Sequence, residues 1–206
     1  MTQILNAQQT MEFNNILGCV LTNKQLNLMD DLYKKDPDTY EHCRRTSQYC
    51  YLIGSLLDLP DNDHEMLVSG ALFHDIGKIA VADDVLKKPG SLTENERKSM
   101  QEHSKESLWL IYATGCSYDS VLAMLHHHER YDGSGYPSGL MGENIPLLAR
   151  IISVADAYDA MTVKRCYSKG IGKEDALDRL TSGKGTQFDP KLIDVFAGYM
   201  TRLPQG

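Results

Sequence analysis

Apolar residues recur every three or four positions along almost the whole chain of 206 residues. Phe13, Ile16 and Leu17 form one such stripe, and Leu52 and Ile53 belong to another, so each segment has one apolar face if it is helical. No stretch alternates apolar and polar residues with the period of two that a half-buried strand requires. Hydrophobic residues make up 42% of the chain, enough to bury a core. The sequence therefore predicts an all-α fold, a helical bundle with few strands or none.

Capping residues and prolines indicate where several helices begin. The sequence predicts helices over residues 38–57, 61–80, 100–114, 117–129, 146–161, 173–182 and 190–202, with one or two amphipathic helices within 11–35. Thr93 followed by Glu96 is a capping-box pattern and marks a further helix start. Residues 132–144 contain Asp-Gly, Gly-Tyr-Pro and two further glycines, so we expect a loop there.

The organisation of the chain predicts one domain, because no repeat, low-complexity tract or linker-like segment divides it. We expect a short helical N-terminal extension over residues 1–37 and a single domain over residues 38–206. The amphipathic helices of the extension can either complete the core or mediate dimerisation, and the sequence does not distinguish these roles.

Composition excludes several classes of protein. The chain carries 21 Lys and Arg against 28 Asp and Glu, a formal charge of −7, and its pI is near 5.4. That sign of charge opposes nonspecific binding of DNA or RNA polymers. No apolar run approaches the roughly 18–20 residues of a membrane span, and the start of the chain lacks a secretion signal, so we expect a cytoplasmic protein without a membrane partner. The five cysteines include no C-x-x-C pair, so we expect reduced, mostly buried thiols.

Two acidic side chains interrupt apolar helical segments. The pair His74-Asp75 lies within the apolar stretch 67–81, and Asp156 lies within 151–161. Burying a carboxylate costs several kcal/mol unless a cation or hydrogen bonds compensate it. For the first pair alone, a hydrogen-bonded His–Asp core pair remains an adequate explanation. The second carboxylate strengthens the case for a shared cation.

Histidines are the second component of this pattern. His103 and His42 lie on apolar stripes of their helices, although either alone is more often a core histidine than a ligand. Residues 126–128 are three consecutive histidines, at least one of which can simply be an exposed helix end. Imidazole and carboxylate together bind Fe, Mn or Zn. Five inward histidines and two carboxylates exceed the needs of one ion. Two metals about 3.5–4 Å apart, bridged by Asp75, would suit phosphate-ester hydrolysis.

The order of these motifs resembles that of a known family. His42, the segment 74–78 (HDIGK), His103, the segment 127–137 (HHERYDGSGYP) and the segment 156–160 (DAYDA) together resemble the HD-GYP subgroup of the HD-domain phosphohydrolases. The similarity extends from about residue 39 to residue 195. It implies an HD-type helical bundle with a Gly/Pro-rich loop over a dinuclear metal site. It also implies a phosphodiesterase that opens cyclic di-GMP to pGpG and onward to GMP, or that prefers cyclic GMP-AMP.

The resemblance assigns roles to individual residues. It implies as metal ligands His42, His74, Asp75, His103, His127, His128 and Asp156, and leaves His64 and His126 without a role. Asp75 and Lys78 would be catalytic, although Lys78 taken alone reads as a surface lysine near a helix end. The implied substrate contacts are Lys78, Gly135, Tyr136, Pro137, Asp159, Ala160 and Arg165, whereas Arg130 and Asp132 would hold the loop. Asp38 occupies the position of a glutamate associated with a third metal, and a helix cap remains the alternative.

Three positions depart from the family pattern. Ser107 stands where a glycine is common, and Cys166 stands where a proline is often found. Ser168 replaces a lysine that contacts phosphate in some members, which affects the expected affinity or dinucleotide preference. None of these changes removes an implied metal ligand.

The implied mechanism is attack on phosphorus by a metal-bridging hydroxide. Fe or Mn is expected, with Zn, Ni or Mg as alternatives. A homodimer and a diguanylate cyclase or another signalling protein are candidate partners besides the cyclic dinucleotide. Two alternative functions remain. An HD hydrolase of another nucleotide is disfavoured by the Gly-Tyr-Pro loop, and a non-hydrolysing cyclic-dinucleotide-binding or signalling module is disfavoured by the complete ligand set.

Overall fold

The computed structural model describes residues 4–163 and 170–203, whose regular secondary structure is helical. The α-helices in chain order are α1 (Ala7–Val20), α2 (Asn23–Lys35), α3 (Pro37–Leu56), α4 (Asp61–Phe73), α5 (Asp83–Leu86), α6 (Glu94–Gln101), α7 (His103–Tyr112), α8 (Tyr118–His126), α9 (Leu147–Thr162), α10 (Lys173–Ser182) and α11 (Pro190–Met200). Short 3-10 helices span Ile76–Ala80 and Gly142–Asn144. Within the described ranges there is no β-strand, and an isolated bridge pairs Lys184 with Phe188. The all-α prediction is confirmed.

Helix starts follow the local chemistry of the sequence. The expected capping box forms at α6, where the Thr93 side chain accepts the Glu96 N–H and Glu96 accepts the Thr93 N–H. Pro146 is the N-cap of α9, one position before the first turn where it was predicted. Residues 11–35 contain most of α1 and the whole of α2, and both helices begin with a capping box. These reciprocal bonds satisfy N–H groups that a helix leaves free at its start.

Two predicted helices are shorter than their apolar periodicity indicates. The helix expected over 61–80 ends at Phe73, and the chain then tightens into the 3-10 helix of residues 76–80. The helix expected over 100–114 is divided at Glu102 into α6 and α7. At each break a histidine side chain hydrogen-bonds the carbonyl oxygen three residues earlier, which competes with continued helical bonding. The spacing of apolar residues gives no information about these side-chain hydrogen bonds, so it does not predict the two helix ends.

The main core lies between α3, α4, α9 and α11. It includes the buried side chains of Leu52, Ile53, Leu67, Ile152 and Phe196. A second apolar cluster lies beside it and includes Leu32, Phe73, Ile76, Ile111 and Met124. Helix α3 packs against both α4 and α9, so the helices that carry His42 and Asp156 are fixed to the helix that His74 follows.

The N-terminal helices pack against this core. Phe13 of α1 is 3% exposed and belongs to the main cluster, where its ring meets that of Tyr51 at 5.9 Å. Met29 and Leu32 of α2 belong to the second cluster. The Tyr51 hydroxyl also donates a hydrogen bond to Glu12 on α1 at 2.7 Å. Helices α1 and α2 therefore bury core side chains.

Two other sequence expectations concern thiols and membranes. Cys43 and Cys50 are buried, Cys116 is partly buried and Cys19 is exposed, all as free thiols. Cys166 lies outside the described residues. Among the described helices, none combines the length and the apolar character needed to cross a membrane.

The packing of α1 predicts a large effect of truncating Phe13. Phe13→Ala should lower the free energy of unfolding by about 3–5 kcal/mol, because removing the ring leaves a cavity between α1 and α3. Met11→Ala is the matched control, since Met11 is on the same helix and 60% exposed, and it should change stability by less than about 0.5 kcal/mol. Urea denaturation followed by far-UV circular dichroism measures both. Equal effects of the two substitutions would show that α1 does not contribute to the folded core.

Candidate metal centre

Three histidines share one backbone arrangement. The Nδ1 atoms of His74, His103 and His127 lie 2.7, 2.6 and 2.6 Å from the carbonyl oxygens of Ala71, Met100 and Met124, each three residues earlier. Because a carbonyl only accepts, each Nδ1 must carry the proton. When such a ring is neutral, its Nε2 atom has no proton and can bind a metal ion. All three side chains are buried, and their rings meet in one place.

His42 reaches the same place from α3. Its Nδ1 atom lies 2.6 Å from Oδ2 of Asp159 on α9, and Asp159 also accepts two hydrogen bonds from Arg45, at 2.7 and 3.0 Å. The His42 ring lies 5.2 Å from the ring of His74. The two helices that pack at the centre of the bundle are thus joined by polar contacts at the edge of the histidine cluster.

Asp75 lies at the centre of the cluster. Its Oδ1 atom is 3.1 Å from Nε2 of His103, and its Oδ2 atom is 3.5 Å from Nε2 of His74 and 3.9 Å from Nε2 of His42. Asp156, the second carboxylate, approaches from α9, and its Oδ1 atom is 2.9 Å from Nε2 of His42 and 4.0 Å from that of His74. The two carboxylates expected to be buried among histidines are brought together there.

Burial and neighbouring groups fix the charges of the cluster. Desolvation lowers the pKa values of His74 and His127 and brings that of His128 to about 3, so these imidazoles are neutral at physiological pH. Burial alone would raise the pKa values of Asp75 and Asp156. The charged ammonium of Lys78 beside Asp75, and the contact of Asp156 with His42, outweigh burial and hold both pKa values low. Neutral imidazoles and ionised carboxylates are the forms that bind metal ions.

The donor atoms fit divalent metal ions. Three groups of side chains each have ligand atoms within 4.8 Å of one another, namely Asp75, His103, His127 and His128; His42, His74 and Asp75; and His74, His127 and Asp156. Among the described residues, Nε2 of His74 and Nε2 of His127 are buried without a hydrogen-bond partner. Buried polar atoms without partners carry a free-energy penalty that metal coordination would remove. All seven side chains that the motifs indicate belong to these groups.

Asp38 is not part of them. It is exposed in the first turn of α3, one turn before His42, and is absent from the three groups found among the described residues. The N-cap of α3 is Asp36, whose carboxylate accepts the Thr39 hydroxyl at 2.6 Å. Asp38 is thus not the cap that the sequence offered as an alternative, and a third-metal role stays a prediction.

Lys78 lies beside the central carboxylate. Its Nζ donates a hydrogen bond to Oδ2 of Asp75 at 2.5 Å, and the side chain keeps 17% of its surface exposed. Burial alone would lower the pKa of Lys78, but the charge of Asp75 and their hydrogen bond raise it, so the ammonium stays charged. The lysine is therefore a mostly buried cation of the cluster and not the surface side chain that its position near a helix end indicated.

The Gly/Pro-rich loop covers one side of the cluster. The Tyr136 N–H donates to the carbonyl of His128 at 3.3 Å, and the two rings lie 4.9 Å apart. Gly135 is required by close packing, because a Cβ at this position would lie 2.3 Å from the backbone nitrogen of Arg130. Pro137 follows Tyr136 and is half-buried. Tyr136 is thus held next to the predicted ligands.

The internal contacts of this loop agree with the roles expected for Arg130 and Asp132. The Arg130 guanidinium contacts Asp132 at 3.2 Å, and Asp132 accepts both the N–H and the hydroxyl of Ser134. The Ser138 N–H donates to Glu129 at 2.7 Å. Glu129 is buried, as is its neighbour His126 at 3.4 Å. These side chains shape the loop from within.

Some predicted substrate contacts are placed differently. Asp159 was expected near the nucleotide, but its side chain is fully buried and its carboxylate bonds His42 and Arg45, so this structure does not present it to a ligand. Ala160 follows it and is half-buried. Arg165 lies outside the described residues, as does Ser168. His64 lies against Tyr51, with ring centroids 5.2 Å apart, and lines a cavity with residues of α1.

Ser107 and Gly77 connect the segment 74–78 to α7. The Ser107 hydroxyl donates to the carbonyl of His74 at 3.1 Å and accepts the Gly77 N–H at 2.9 Å. A Cβ on Gly77 would lie 2.0 Å from the carbonyl oxygen of His103. The departure from glycine at position 107 therefore adds two hydrogen bonds between the segments that supply three predicted ligands. The sequence signalled Ser107 as unusual but did not predict this bridge.

Comparison with known proteins relates the chain to curated sequences. The sequence profile described as HD domain matches residues 27–192. A cyclic di-GMP phosphodiesterase response regulator from Xanthomonas campestris pv. campestris is 39% identical over 173 residues, which cover 83% of this chain and 46% of that protein. A 3′3′-cGAMP-specific phosphodiesterase from Vibrio cholerae is 33% identical over 178 residues, which cover 84% of this chain and 34% of that protein. The chain thus matches less than half the length of either relative.

A solved structure shares the fold. The crystal structure of a cyclic GMP-AMP-specific phosphodiesterase from Vibrio cholerae matches with a TM-score of 0.65 at 21% identity, covering 85% of this chain and 47% of that one. At this level of identity the likeness establishes a common arrangement of helices.

The close contact at Gly77 predicts that a methyl group there disturbs the cluster. Gly77→Ala must displace the backbone of His103, so we expect a loss of about 3 kcal/mol of stability, the upper end for an overpacked site, together with weaker Mn²⁺ binding. Gly198→Ala is the matched control, because a Cβ there meets nothing within 4 Å. Urea denaturation and isothermal titration with Mn²⁺ measure the two effects. Mn²⁺ binding by Gly77→Ala as tight as that of the control would contradict the role of this contact.

Proposed function

The chain belongs to the HD domain family, in its HD-GYP subgroup, and from this membership we propose that it is a metal-dependent phosphodiesterase of cyclic dinucleotides. The observation that carries the proposal is the buried cluster in which Asp75 and Asp156 lie among imidazoles whose Nε2 atoms face them. The names of the two curated relatives, one acting on cyclic di-GMP and one on 3′3′-cGAMP, support the substrate class. We propose cyclic di-GMP as the first substrate.

The residues proposed to hold two divalent metal ions are His42, His74, Asp75, His103, His127, His128 and Asp156. When bound, such ions lower the pKa of a water molecule and provide positive charge for phosphate oxygens. Asp75 is proposed as the shared ligand because, of the two carboxylates, it is the one that belongs to two of the three groups, and its two oxygens can each bind a different ion. Imidazole and carboxylate donors without thiolate suit Fe or Mn, with Zn as an alternative.

Lys78 is proposed to stabilise negative charge on the scissile phosphate. Its ammonium lies against Asp75, is held charged, and retains an exposed fraction through which a ligand can reach it. A fixed cation in a largely buried site interacts more strongly with developing charge than one in water. Hydrolysis of one phosphodiester would open the ring and give pGpG from cyclic di-GMP, and a second would give GMP.

Tyr136 is proposed to contact the nucleobase. Its ring lies beside His128 at the edge of the cluster, and loop contacts fix its backbone. Aromatic rings stack on any base, a contact worth about 1–3 kcal/mol. Burial, followed by the charges of Asp75 and Asp156, raises the pKa of the Tyr136 phenol, so it remains protonated and can donate a hydrogen bond. Gly135 and Pro137 hold this ring in place and complete the proposed lining.

A substrate panel tests the proposal. The protein purified anaerobically and loaded with Mn²⁺ or Fe²⁺ should convert cyclic di-GMP to pGpG, and chromatography measures the product. EDTA should abolish the reaction until metal is restored. Cyclic GMP-AMP tests the second candidate substrate, and a dNTP and ppGpp test a more general HD hydrolase. A fully metallated protein that cleaves neither cyclic dinucleotide would contradict the proposal. Saturable binding without cleavage would instead support a signalling module.

Asp75→Ala provides the inactive control for that panel. We expect it to lose metal loading and turnover together, because it removes the carboxylate shared by two donor groups. Asp178→Ala is the matched control, since Asp178 is exposed on α10. Metal analysis by plasma mass spectrometry and the pGpG assay follow both variants. Full activity in Asp75→Ala would rule out its central role.

Lys78→Met separates charge stabilisation from metal binding. We expect kcat to fall by about 10²- to 10³-fold, as for removal of one preorganised electrostatic contact, while the metal content stays near that of the wild type. Lys105→Met is the control, because Lys105 is an exposed lysine on α7. Steady-state kinetics with cyclic di-GMP and metal analysis give the two readouts. An unchanged kcat in Lys78→Met would exclude the proposed contact with phosphate.

A further inference from the structure

We propose that Asp159 and Arg45 are positioning residues that fix the tautomer and orientation of His42 as a metal ligand. The inference rests on the proposed metal centre and deepens it. Neither the motif series nor the comparisons assign a positioning role to these two residues. It also replaces the nucleotide contact that the motif implied for Asp159. Neither residue is proposed to touch the substrate.

The side chains of His42, Asp159 and Arg45 are joined by short contacts that lead outwards from the ligand cluster. The Arg45 Nε and a terminal guanidinium nitrogen donate to the two oxygens of Asp159, at 2.7 and 3.0 Å. Oδ2 of Asp159 lies 2.6 Å from Nδ1 of His42. The Asp159 side chain is fully buried, and that of Arg45 is 17% exposed. A two-point pairing between a guanidinium and a carboxylate restricts the carboxylate in both position and rotation.

This arrangement decides which nitrogen of His42 carries the proton. An ionised carboxylate only accepts hydrogen bonds, so Nδ1 of His42 must donate and Nε2 must present its lone pair when the ring is neutral. Nε2 lies 2.9 Å from Oδ1 of Asp156. A lone pair and a carboxylate oxygen at that distance repel each other unless a proton or a metal ion binds to both. The contact therefore favours a cation at Nε2, which is a metal ion when the centre is loaded.

His42 differs in this respect from the other buried histidines of the cluster. His74, His103 and His127 each donate from Nδ1 to a neutral backbone carbonyl. A carboxylate partner makes an imidazole a stronger ligand than a carbonyl does, and loss of such a partner commonly costs about 10- to 100-fold in metal affinity. His42 belongs to the donor group with His74 and Asp75, and it also contacts Asp156. Loss of the Asp159 carboxylate should therefore weaken the binding of one of the two proposed ions.

The positions of the residues in sequence make the arrangement a clamp between two helices. Arg45 follows His42 by three residues on α3, and Asp159 follows Asp156 by three residues on α9, so each helix presents its pair on one face. Each helix thus supplies one predicted ligand and one positioning residue. The Arg45–Asp159 pair holds the two helices at the separation that brings His42 to Asp156.

Metal titration of three variants tests the inference without substrate. Asp159→Asn keeps the shape of the side chain but places an amide donor among the donors of Arg45 and His42, so at least one contact must be lost. Arg45→Met removes the fork, and Arg45→Lys keeps the charge without the two-point geometry. Apoprotein prepared by chelation is titrated with Mn²⁺, with free Mn²⁺ followed by electron paramagnetic resonance. We expect the wild type to bind two ions, and Asp159→Asn to bind one of them about 10- to 100-fold more weakly.

The order of the variants and a spectroscopic readout separate positioning from general stability. We expect Arg45→Lys to lose less affinity than Arg45→Met. In Zn²⁺-loaded protein, long-range ¹H–¹⁵N NMR should show His42 protonated at Nδ1, and this signature should be lost in Asp159→Asn. Arg150→Met is the matched control, because Arg150 forms a comparably buried pair with Asp189 and is not among the predicted ligands or substrate contacts. It should lower stability while both ions bind as in the wild type.

Three results would overturn the inference. They are two ions bound with wild-type affinity by Asp159→Asn, equal losses of metal binding in Arg45→Met and Arg150→Met, and a wild-type His42 that is protonated at Nε2 when Zn²⁺ is bound. Failure of the proposed function looks different. A wild-type protein that binds two ions, shows the expected variant effects and leaves cyclic dinucleotides intact would retain the role of Asp159 and Arg45 while refuting the phosphodiesterase.

Discussion

A carboxylate as deeply buried as that of Asp75, which is 2% exposed, stays ionised only if nearby groups compensate its lost hydration, a cost of several kcal/mol. The surrounding elements provide that compensation from separate directions. Lys78 contacts it from the 3-10 turn that follows, and His103 and His42 approach it from α7 and α3. The way in which α3, α4 and α7 meet is therefore tied to the chemistry of a single side chain, and cations are the partners that this environment favours.

Helix ends and ligand orientation arise from the same hydrogen bonds. Near the ends of α4, α6 and α8, a histidine Nδ1 binds the carbonyl oxygen three residues earlier, at His74, His103 and His127. The bond satisfies a carbonyl near a helix end and turns the opposite nitrogen towards the cluster. A longer helix would keep those carbonyls in backbone bonds and leave the imidazoles free to rotate. The same hydrogen bonds thus end the helices and orient the predicted ligands.

The sequence could predict the features that depend on which side of a helix is buried, but not those set by side-chain bonds to the backbone. Apolar periodicity identified the helical class and placed His42 and His103 on inward faces, because periodicity reports which side of a helix is buried. It did not locate the breaks after Phe73 and at Glu102, because side-chain bonds to the backbone set those ends. Motif order brought together the seven predicted ligands, which the structure gathers in one cluster.

The pairing of Arg45 with Asp159 was beyond the sequence for a different reason. The two residues are 114 positions apart, and an arginine on a helix of mixed composition reads as a solvated charge. Ser107 was noticed as a departure, yet its bridge between His74 and Gly77 depends on a close approach of two segments that no local pattern encodes. Such long-range polar contacts need the tertiary structure, and here they fix predicted ligands.

The position of the Gly/Pro-rich loop beside the cluster depends on close packing of its backbone, whereas the positions of the histidines depend on polar contacts. Gly135 lies so close to the backbone of residues 129 and 130 that a Cβ has no space, so a glycine is what lets the loop fold against the end of α8. Tyr136 is thereby held beside His128, the one predicted histidine ligand that remains partly exposed. One side of the cluster is thus made of helix ends, and the side on which His128 is partly exposed is bordered by an aromatic ring on a closely packed loop. Under the proposed function, a ligand that combines a phosphate with a planar base would suit both sides at once, because its phosphate would meet the ammonium of Lys78 while its base would stack on Tyr136.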